Sequence, residues 1–476
     1  MRACVAGACH RKDRLSVGLL CAAVCSFAAL SPFSARAQQT GAGASYQGSV
    51  VGERASAGVR ALSFDEAIQM GLKYNLGLIL AGQSVRTAGG QRLQALQPLL
   101  PTAEATAREA VEQTNLQAEG LRIPGFPAII GPFGFTDIRA SVQWSLMNLS
   151  SLQSYLASKH NFAGASLSAQ DAKDLVVLTV GNAYLLCISD AARVQSAQAE
   201  VKTAKLSLDQ ANENHEAGTA PRLDVLRAQV DYQTEQQSLI VAQNRTKKDK
   251  LALARAIGLP LEQEFTLTDQ APFASLGTLD ANAAVAHALA SRQDLKALQE
   301  EVKAAKAAKS AATAERYPTI SAEGDYGVIG PTLGHSHGTY DASATASVPL
   351  FEEAKLRGDA AVAQSQLDQE QARLNDLRGQ IDAAVRDSIL DIQAADRQVQ
   401  VARSSRELAR EALSEAQLRY SAGVADNLAV SQAQASMAQA DQRYIASSYE
   451  YNVAKLALAR ALGVAQTDYK HYVGGK

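Results

Sequence analysis

Few side chains in this sequence are spaced for covalent or metal chemistry. His335 and His337 form a His-Ser-His pair in a Gly-rich loop, which could offer two imidazoles to one metal ion. No thiol or carboxylate stands beside them, and two histidines alone more often belong to a solvated loop. The chain has no His-Glu-x-x-His, no Gly-x-Ser-x-Gly and no phosphate-binding Gly-rich loop with its Lys. Cys187 falls on a seven-residue apolar repeat and reads as a packed small apolar residue. A hydrolase or metalloenzyme would need a nucleophile or ligand cluster that these residues do not supply. The expectation is a protein with no catalytic residue, no cofactor and no resident metal.

The chemistry therefore has to lie in the shape of the elements. The chain has 476 residues, 47% hydrophobic and 20% charged, with 46 basic side chains against 48 acidic. That balance excludes the basic excess of a nucleic-acid binder, and the apolar fraction excludes disorder. Aromatic content is only 5%, with a single Trp144, while Ala, Gln, Leu and Glu dominate long tracts, as in closely packed helices. Arg2, Arg11, Lys12 and Arg14, an uncharged stretch from Leu15 to Leu30 and then Ala35-Arg36-Ala37 read as a secretory signal peptide over residues 1–37. Five basic side chains and one acidic would leave with it, taking the formal net charge from −2 to −6. Cys4, Cys9, Cys21 and Cys25 would leave too, so Cys187 has no partner for an internal disulfide. Leu20 and Val24 precede Cys21 and Cys25, against the small-residue pattern of a lipid anchor. No later apolar run of about 18 residues is expected to form a second helical span.

The remainder is a duplication. At an offset of 205, Lys250-Leu-Ala-Leu-Ala-Arg-Ala256 is identical to Lys455-Leu-Ala-Leu-Ala-Arg-Ala461, and Ala217-Gly218 meets Ala422-Gly423. A weaker offset of 217 pairs Leu72, Leu78 and Pro101 with Leu289, Leu295 and Pro318. We place an N-terminal linker at 38–61, a first repeat at 62–260, an inter-repeat linker at 261–280, a second repeat at 281–466 and a tail at 467–476. The period is too long for a solenoid.

Within each repeat two periods alternate. Val180, Cys187, Val194, Val201 and Leu208 recur every seven residues beside Ala197, Ala204 and Ala211, the pattern of a close coiled-coil seam. Val385, Ile392, Val399, Leu413 and Tyr420 repeat it, interrupted by Arg406. A helix from about residue 150 to Gly218 would be roughly 100 Å long, and the hairpin would turn at Gly218 and again at Gly423. From Phe135 to Leu146 and from Tyr340 to Val348 the period is two, with one apolar and one polar face, as in a strand crossing a bilayer. Partner strands are expected from near Pro101 and Pro318, giving strand pairs at about 101–147 and 318–348. Four strands cannot close a membrane barrel, so the chain must oligomerise if they span.

Signal peptide, duplicated halves, inserted strand pairs and Ala-Gly turns together resemble the TolC-like outer-membrane efflux protein family, from about Leu62 to Val464. Local patterns agree: Leu62-Ser-Phe-Asp-Glu-Ala-Ile68, Ala346-Ser-Val-Pro-Leu-Phe351 and Gly218 followed by Leu223-Asp-Val-Leu226. The resemblance implies a mainly α fold with membrane β: long helical hairpins in a periplasmic α-barrel, and four strands per subunit of a trimeric, twelve-stranded outer-membrane β-barrel. It implies a homotrimer in outer-membrane lipid, docked on a periplasmic adaptor (membrane fusion) protein and an inner-membrane pump of RND or ABC type. The trimer would be the passive exit duct of an efflux pump or a type I secretion system, for small molecules or proteins. A secreted or periplasmic coiled-coil adhesin would explain the heptads but not the strands.

Site expectations follow. Arg139, Gln143, Ser343 and Thr345 are candidates for the barrel lumen. Acidic side chains ring the pore tip in the family, but the matching positions here are Ala429 and Gln432, a departure from that pattern. Asp224, with Arg227, and Asp426 are the candidates for a gating ring; Asp224 and Arg222 equally suit solvated or capping positions near a helix start. Gly218, Thr219, Ala220 and Arg222, with Gly423, Val424 and Ala425, are candidates for adaptor docking, and their small side chains equally suit the turn alone.

Overall fold

A computed structural model describes residues 46–473 except 53, 56, 57, 119, 270–274, 278, 423, 425 and 426. These belong to the larger of the two units into which the chain divides, Gly43–Lys476. The signal peptide, residues 1–37, and Gly423, Ala425 and Asp426 lie outside the described residues.

The order of elements repeats once. β1 (Arg60–Leu62), α1 (Phe64–Tyr74) and α2 (Leu76–Leu96) lead to β2 (Thr102–Asn115) and β3 (Ile129–Met147), then to α3 (Leu149–Glu216) and α4 (Arg222–Ile257). β4 (Phe265–Leu267) joins this to α5 (Ala281–Ser291), α6 (Gln293–Ala314), β5 (Thr319–Gly330), β6 (His337–Ser347), α7 (Glu353–Ser421), α8 (Asn427–Ala461) and α9 (Ala465–Val473). α3 and α7 have 68 and 69 residues, each about 100 Å of helix at 1.5 Å per residue.

These helices start and stop for local reasons. The Asn148 side chain accepts the Ser151 N–H at 2.9 Å and begins α3, while Gly218, at φ +72°, lets the chain reverse after Ala217. Along α3 the buried positions are dense near Val176, Val180, Tyr184 and Cys187 and then thin to Ala197, Ala204, Leu208 and Ala211. Small residues along the seam let α4 approach closely. In α7 the seam is Ile381, Val385, Ile392, Val399 and Ala402. One stretch of α3 is long and apolar enough to cross a membrane, contrary to the expectation that no such run follows the signal. Half of it is buried inside the fold, where Val176, Val177, Val180 and Leu185 pack on Leu253, Ile257 and Leu456. Its apolarity serves the core.

The core sits at the waist, where both repeats meet. β1 and β4 pair in parallel, so segments expected as linkers instead hold the ends of the first repeat together. The expected tail is the helix α9, which buries Tyr469 against Phe64 and donates the Tyr469 hydroxyl to Asp65. The four long strands form one antiparallel sheet in the order β2-β3-β5-β6, leaving β2 and β6 as edges.

Gly258 ends α4 at φ +79°, and a Cβ there would lie 2.6 Å from Tyr74 Cβ and 2.8 Å from the Val50 carbonyl oxygen. At Gly218 the backbone strain is similar but nothing lies within 4 Å. Gly218→Ala is expected to cost about 1 kcal/mol and Gly258→Ala clearly more. Thermal unfolding of the two variants checks this order, and equal shifts would contradict it.

Candidate functional site

The strand register sorts side chains onto two faces. Cross-strand rows on one face read Thr102, Gln143, Glu323, Ser343, then Glu104, Ser141, Asp325, Asp341, then Thr106, Arg139, Gly327, Thr339. A further row carries Ser145, Ser321 and Thr345. Rows on the opposite face read Ala103, Val142, Gly324, Ala342, then Ala105, Ala140, Tyr326, Tyr340. Residues paired directly across antiparallel strands share a face, so Arg139, Gln143, Ser343 and Thr345 lie on the same polar side. Arg139 is held there: its Nε and Nη2 donate to Asp137 at 2.8 and 2.7 Å, and its Nη1 donates to Asp325 at 3.1 Å. The same face carries Asp341, which the alternation from Tyr340 to Val348 already sets on the polar side, and two acids that the sequence reading missed, Glu104 and Glu323. The alternation of Ser321, Glu323 and Asp325 with Ala322, Gly324 and Tyr326 is the signal that could have found Glu323. On the apolar side the Trp144 indole N–H donates to the Leu99 carbonyl at 3.2 Å, at the end of the sheet joined to the helices.

At the far end of the helices lie the turns. Thr219 closes the first one: its N–H and its hydroxyl both donate to the Asn214 carbonyl at 2.9 Å. Pro221 precedes the exposed Arg222, which opens α4. Asp224 is 9% exposed in the first turn of α4, where negative charge suits the helix N-terminus. Arg227 Nη1 lies 3.9 Å from its carboxylate, and Asn427 Nδ2 donates to its carbonyl oxygen at 3.4 Å. Asp224 thus faces the second hairpin. Of the other turn, Val424 is described: its side chain is exposed and its N–H donates to the Arg419 carbonyl at 3.0 Å.

Polar links tie the hairpins above these turns. Ser431 Oγ donates to Asp231 at 2.5 Å and Gln434 Nε2 to Ser207 Oγ at 2.8 Å. Between them is a cavity of about 840 Å³ lined by Glu200, Asp231 and Glu235 from one hairpin and by Arg406, Arg410 and Asp441 from the other. Arg406 Nε donates to Asp441 and its guanidinium lies 5.0 Å from the Tyr444 ring. Burial, with Glu200 and Asp231 nearby, raises the Glu235 carboxyl above its ordinary range.

Closer to the waist, Asp190 is 1% exposed. Arg245 Nε lies 3.3 Å from its Oδ1 and 3.6 Å from Asp249 Oδ2. Burial, then the nearby Asp249 carboxyl, pushes the Asp190 carboxyl up to about 7. Burial likewise pushes the Cys187 thiol up to about 12, which leaves it unreactive in its seam. Arg460 pairs with Asp171 at 2.8 Å and Asp174 accepts the Gln466 N–H at 2.7 Å, so α8 and α9 are tied to α3. In the outer loop, His335 Nδ1 meets Thr332 Oγ1 at 3.0 Å. Among the described residues no group of three or more His, Cys, Asp or Glu side chains is placed to hold a metal.

Comparison with known proteins agrees with this architecture. A family profile described as outer membrane efflux protein matches residues 85–259 and 284–464. The pyoverdine export outer membrane protein OpmQ of Pseudomonas putida is 26% identical over 406 residues, which cover 84% of this chain and 85% of its own. Among solved structures, the CmeC outer membrane channel of Campylobacter jejuni superposes with a TM-score of 0.76 at 15% identity, over 89% of this chain and 92% of its own. The outer membrane protein VceC of Vibrio cholerae does so with a TM-score of 0.74 at 19% identity, over 84% of this chain and 96% of its own.

Asp190 binds its proton more tightly folded than unfolded, so its contribution to stability is full below the ordinary value of 3.8 and is lost as pH rises through about 7. The raised carboxyls of Asp171 and Asp174 act in the same direction. Asp190→Asn is therefore expected to flatten the fall in thermal midpoint between pH 4 and pH 7 without abolishing it. An unchanged slope would contradict the assignment.

Proposed function

The chain belongs to the outer membrane efflux protein family, and on that premise we propose that three copies close their sheets into one twelve-stranded barrel. It is an outer-membrane protein with the fold of an efflux channel. The observation that carries the proposal is a four-stranded sheet, one face polar and one apolar, with two open edges and helices of about 100 Å below it. Open edges are not tolerated in hydrocarbon, and each must find a strand. Two copies would give eight strands, whose interior side chains fill. Three leave a conduit.

In that assembly Arg139, Gln143, Ser343 and Thr345 face water in the lumen, while Val142, Ala342 and Tyr340 face lipid. The helices continue the conduit through the periplasm as an α-barrel. Its lower end meets a periplasmic adaptor and, through it, an inner-membrane pump of RND or ABC type that supplies the energy. Gly218, Thr219, Ala220 and Arg222, with Gly423, Val424 and Ala425, are the docking positions in this reading. Arg222 and Val424 are exposed, which suits a contact with another protein. For the gating candidates Asp224, Arg227 and Asp426, the burial of Asp224 against the second hairpin favours a cap and hairpin clasp over a ring bared to the pore. The cargo is small molecules or proteins delivered by the pump, and transport through the duct is passive.

Single-channel recording of reconstituted protein tests the face assignment. Discrete openings are expected, and a bulky membrane-impermeant thiol reagent should lower the conductance of Ser343→Cys but not of Ala342→Cys. The buried Cys187 contributes little background. Block at position 342 with none at 343 would contradict the reading.

A further inference from the structure

Among the described residues, the most exposed large apolar side chains belong to neither lipid-facing row. Leu350 is 92% exposed and Phe351 is 99% exposed, in the short connection between β6 and α7. Their placement is not loose. Pro349 stiffens the connection. Glu353, in the first turn of α7, accepts from Arg316 at 3.0 Å and from Arg357 at 2.5 Å, which fixes the helix start that follows. A solvent-exposed Phe on a short connection between a strand and a fixed helix start, beside a free strand edge, is an apolar contact without its counterpart.

The topology says which surface it meets. In the order β2-β3-β5-β6 every neighbour is antiparallel, so β2 and β6 run in opposite directions and a second copy's β2 can continue the sheet beside β6. β6 ends at Ser347 and β2 begins at Thr102, both at the end of the sheet joined to the helices. The residues just after β6 therefore lie beside the residues just before β2 of the next copy. Those residues are also bare and apolar: Leu93 is 62% exposed, Leu100 is 46% exposed, and Pro98 and Pro101 are exposed with them.

We propose that Leu350 and Phe351 insert into an apolar socket formed by Leu93, Pro98, Leu100 and Pro101 of a second copy, locking adjacent subunits where the strands meet the helices. The proposal rests on the closed-barrel reading above and names the contact that holds its seams. The contact lies below the strand ladder, where the hydrogen bonds of the two edges stop. It sets the angle at which each subunit's helices leave the barrel. Because Phe351 touches almost nothing within its own chain, a substitution there spares the subunit fold, and an effect on assembly can be read cleanly.

The test uses full-length protein purified from outer membranes. With a benzophenone amino acid in place of Phe351, illumination should give a species of twice the subunit mass, and peptide mapping should place the link within residues 90–105 of a second copy. In dilution series, Phe351→Asp trimers should dissociate at protein concentrations at least tenfold higher than wild type, with unchanged helicity by circular dichroism, whereas Phe351→Leu should behave like wild type. Adducts to lipid or to the adaptor alone, or a Phe351→Asp trimer as persistent as wild type, would overturn the proposal while leaving the barrel intact. Wild-type protein that is monomeric in lipid would overturn the barrel reading and this contact with it.

Discussion

Backbone N–H and C=O groups cannot be left unpaired in hydrocarbon, and most of this structure follows from that constraint. One chain supplies four antiparallel strands and leaves two edges without partners. No side-chain substitution can satisfy an edge, because the groups at fault belong to the main chain. The edges must pair with other copies, and the closed sheet then separates a watery inside from a lipid outside. The two-residue period of β3 and β6 acquires its meaning only in that closed state. Polar rows holding Arg139 with Asp137 and Asp325 need water, and rows such as Ala105, Ala140, Tyr326 and Tyr340 need lipid.

Helices solve the same problem below the membrane by other means. Their backbone bonds are internal, so α3 and α7 can run about 100 Å in water with only a narrow buried seam. Near the waist the seam is wide and apolar, with Val180, Tyr184 and Cys187 fully covered; toward the turns it shrinks to alanines and a few hydrogen bonds between hairpins. The most weakly packed part of the subunit is therefore the part farthest from the membrane, which is where a duct has to open or accept a partner. Nearer the waist the two repeats are not equivalent. The buried Asp190 of the first repeat, with Arg245 and Asp249 beside it, corresponds to Ala395, with Glu450 and Ala454, of the second. One hairpin buries a carboxylate paired with a half-exposed arginine at a level where its copy packs on Ile392, Ala395 and Val399.

Much of this was legible in the sequence because long elements announce their period many times. The heptads around Val180 and Val385, the alternation from Phe135 to Leu146, and the glycine at position 218 each depend on neighbours within a few residues. What was missed depends on distant residues. β1 and β4 are three residues each, too short for any period, and they pair across some 200 positions of chain. α9 is held by Tyr469 meeting Phe64 and Asp65, which no local pattern reveals. Glu104 is brought onto the face of Arg139 and Asp341 by the register of four strands. Asp224 could be placed near a turn from spacing alone, but its position against Asn427 required both hairpins. The apolar stretch of α3 shows the opposite difficulty: by composition a core helix and a membrane helix look alike, and only its packing on Leu253 and Leu456 separates them.

Electron cryomicroscopy of the protein in lipid nanodiscs would examine closure of the sheet itself. Viewed along the membrane normal, the particles should show threefold density around a single central opening, with a tube of about 100 Å projecting from one side of the disc. A twofold ring, or separate sheets each lying alone in the lipid, would contradict the claim that the free edges of β2 and β6 meet between three subunits.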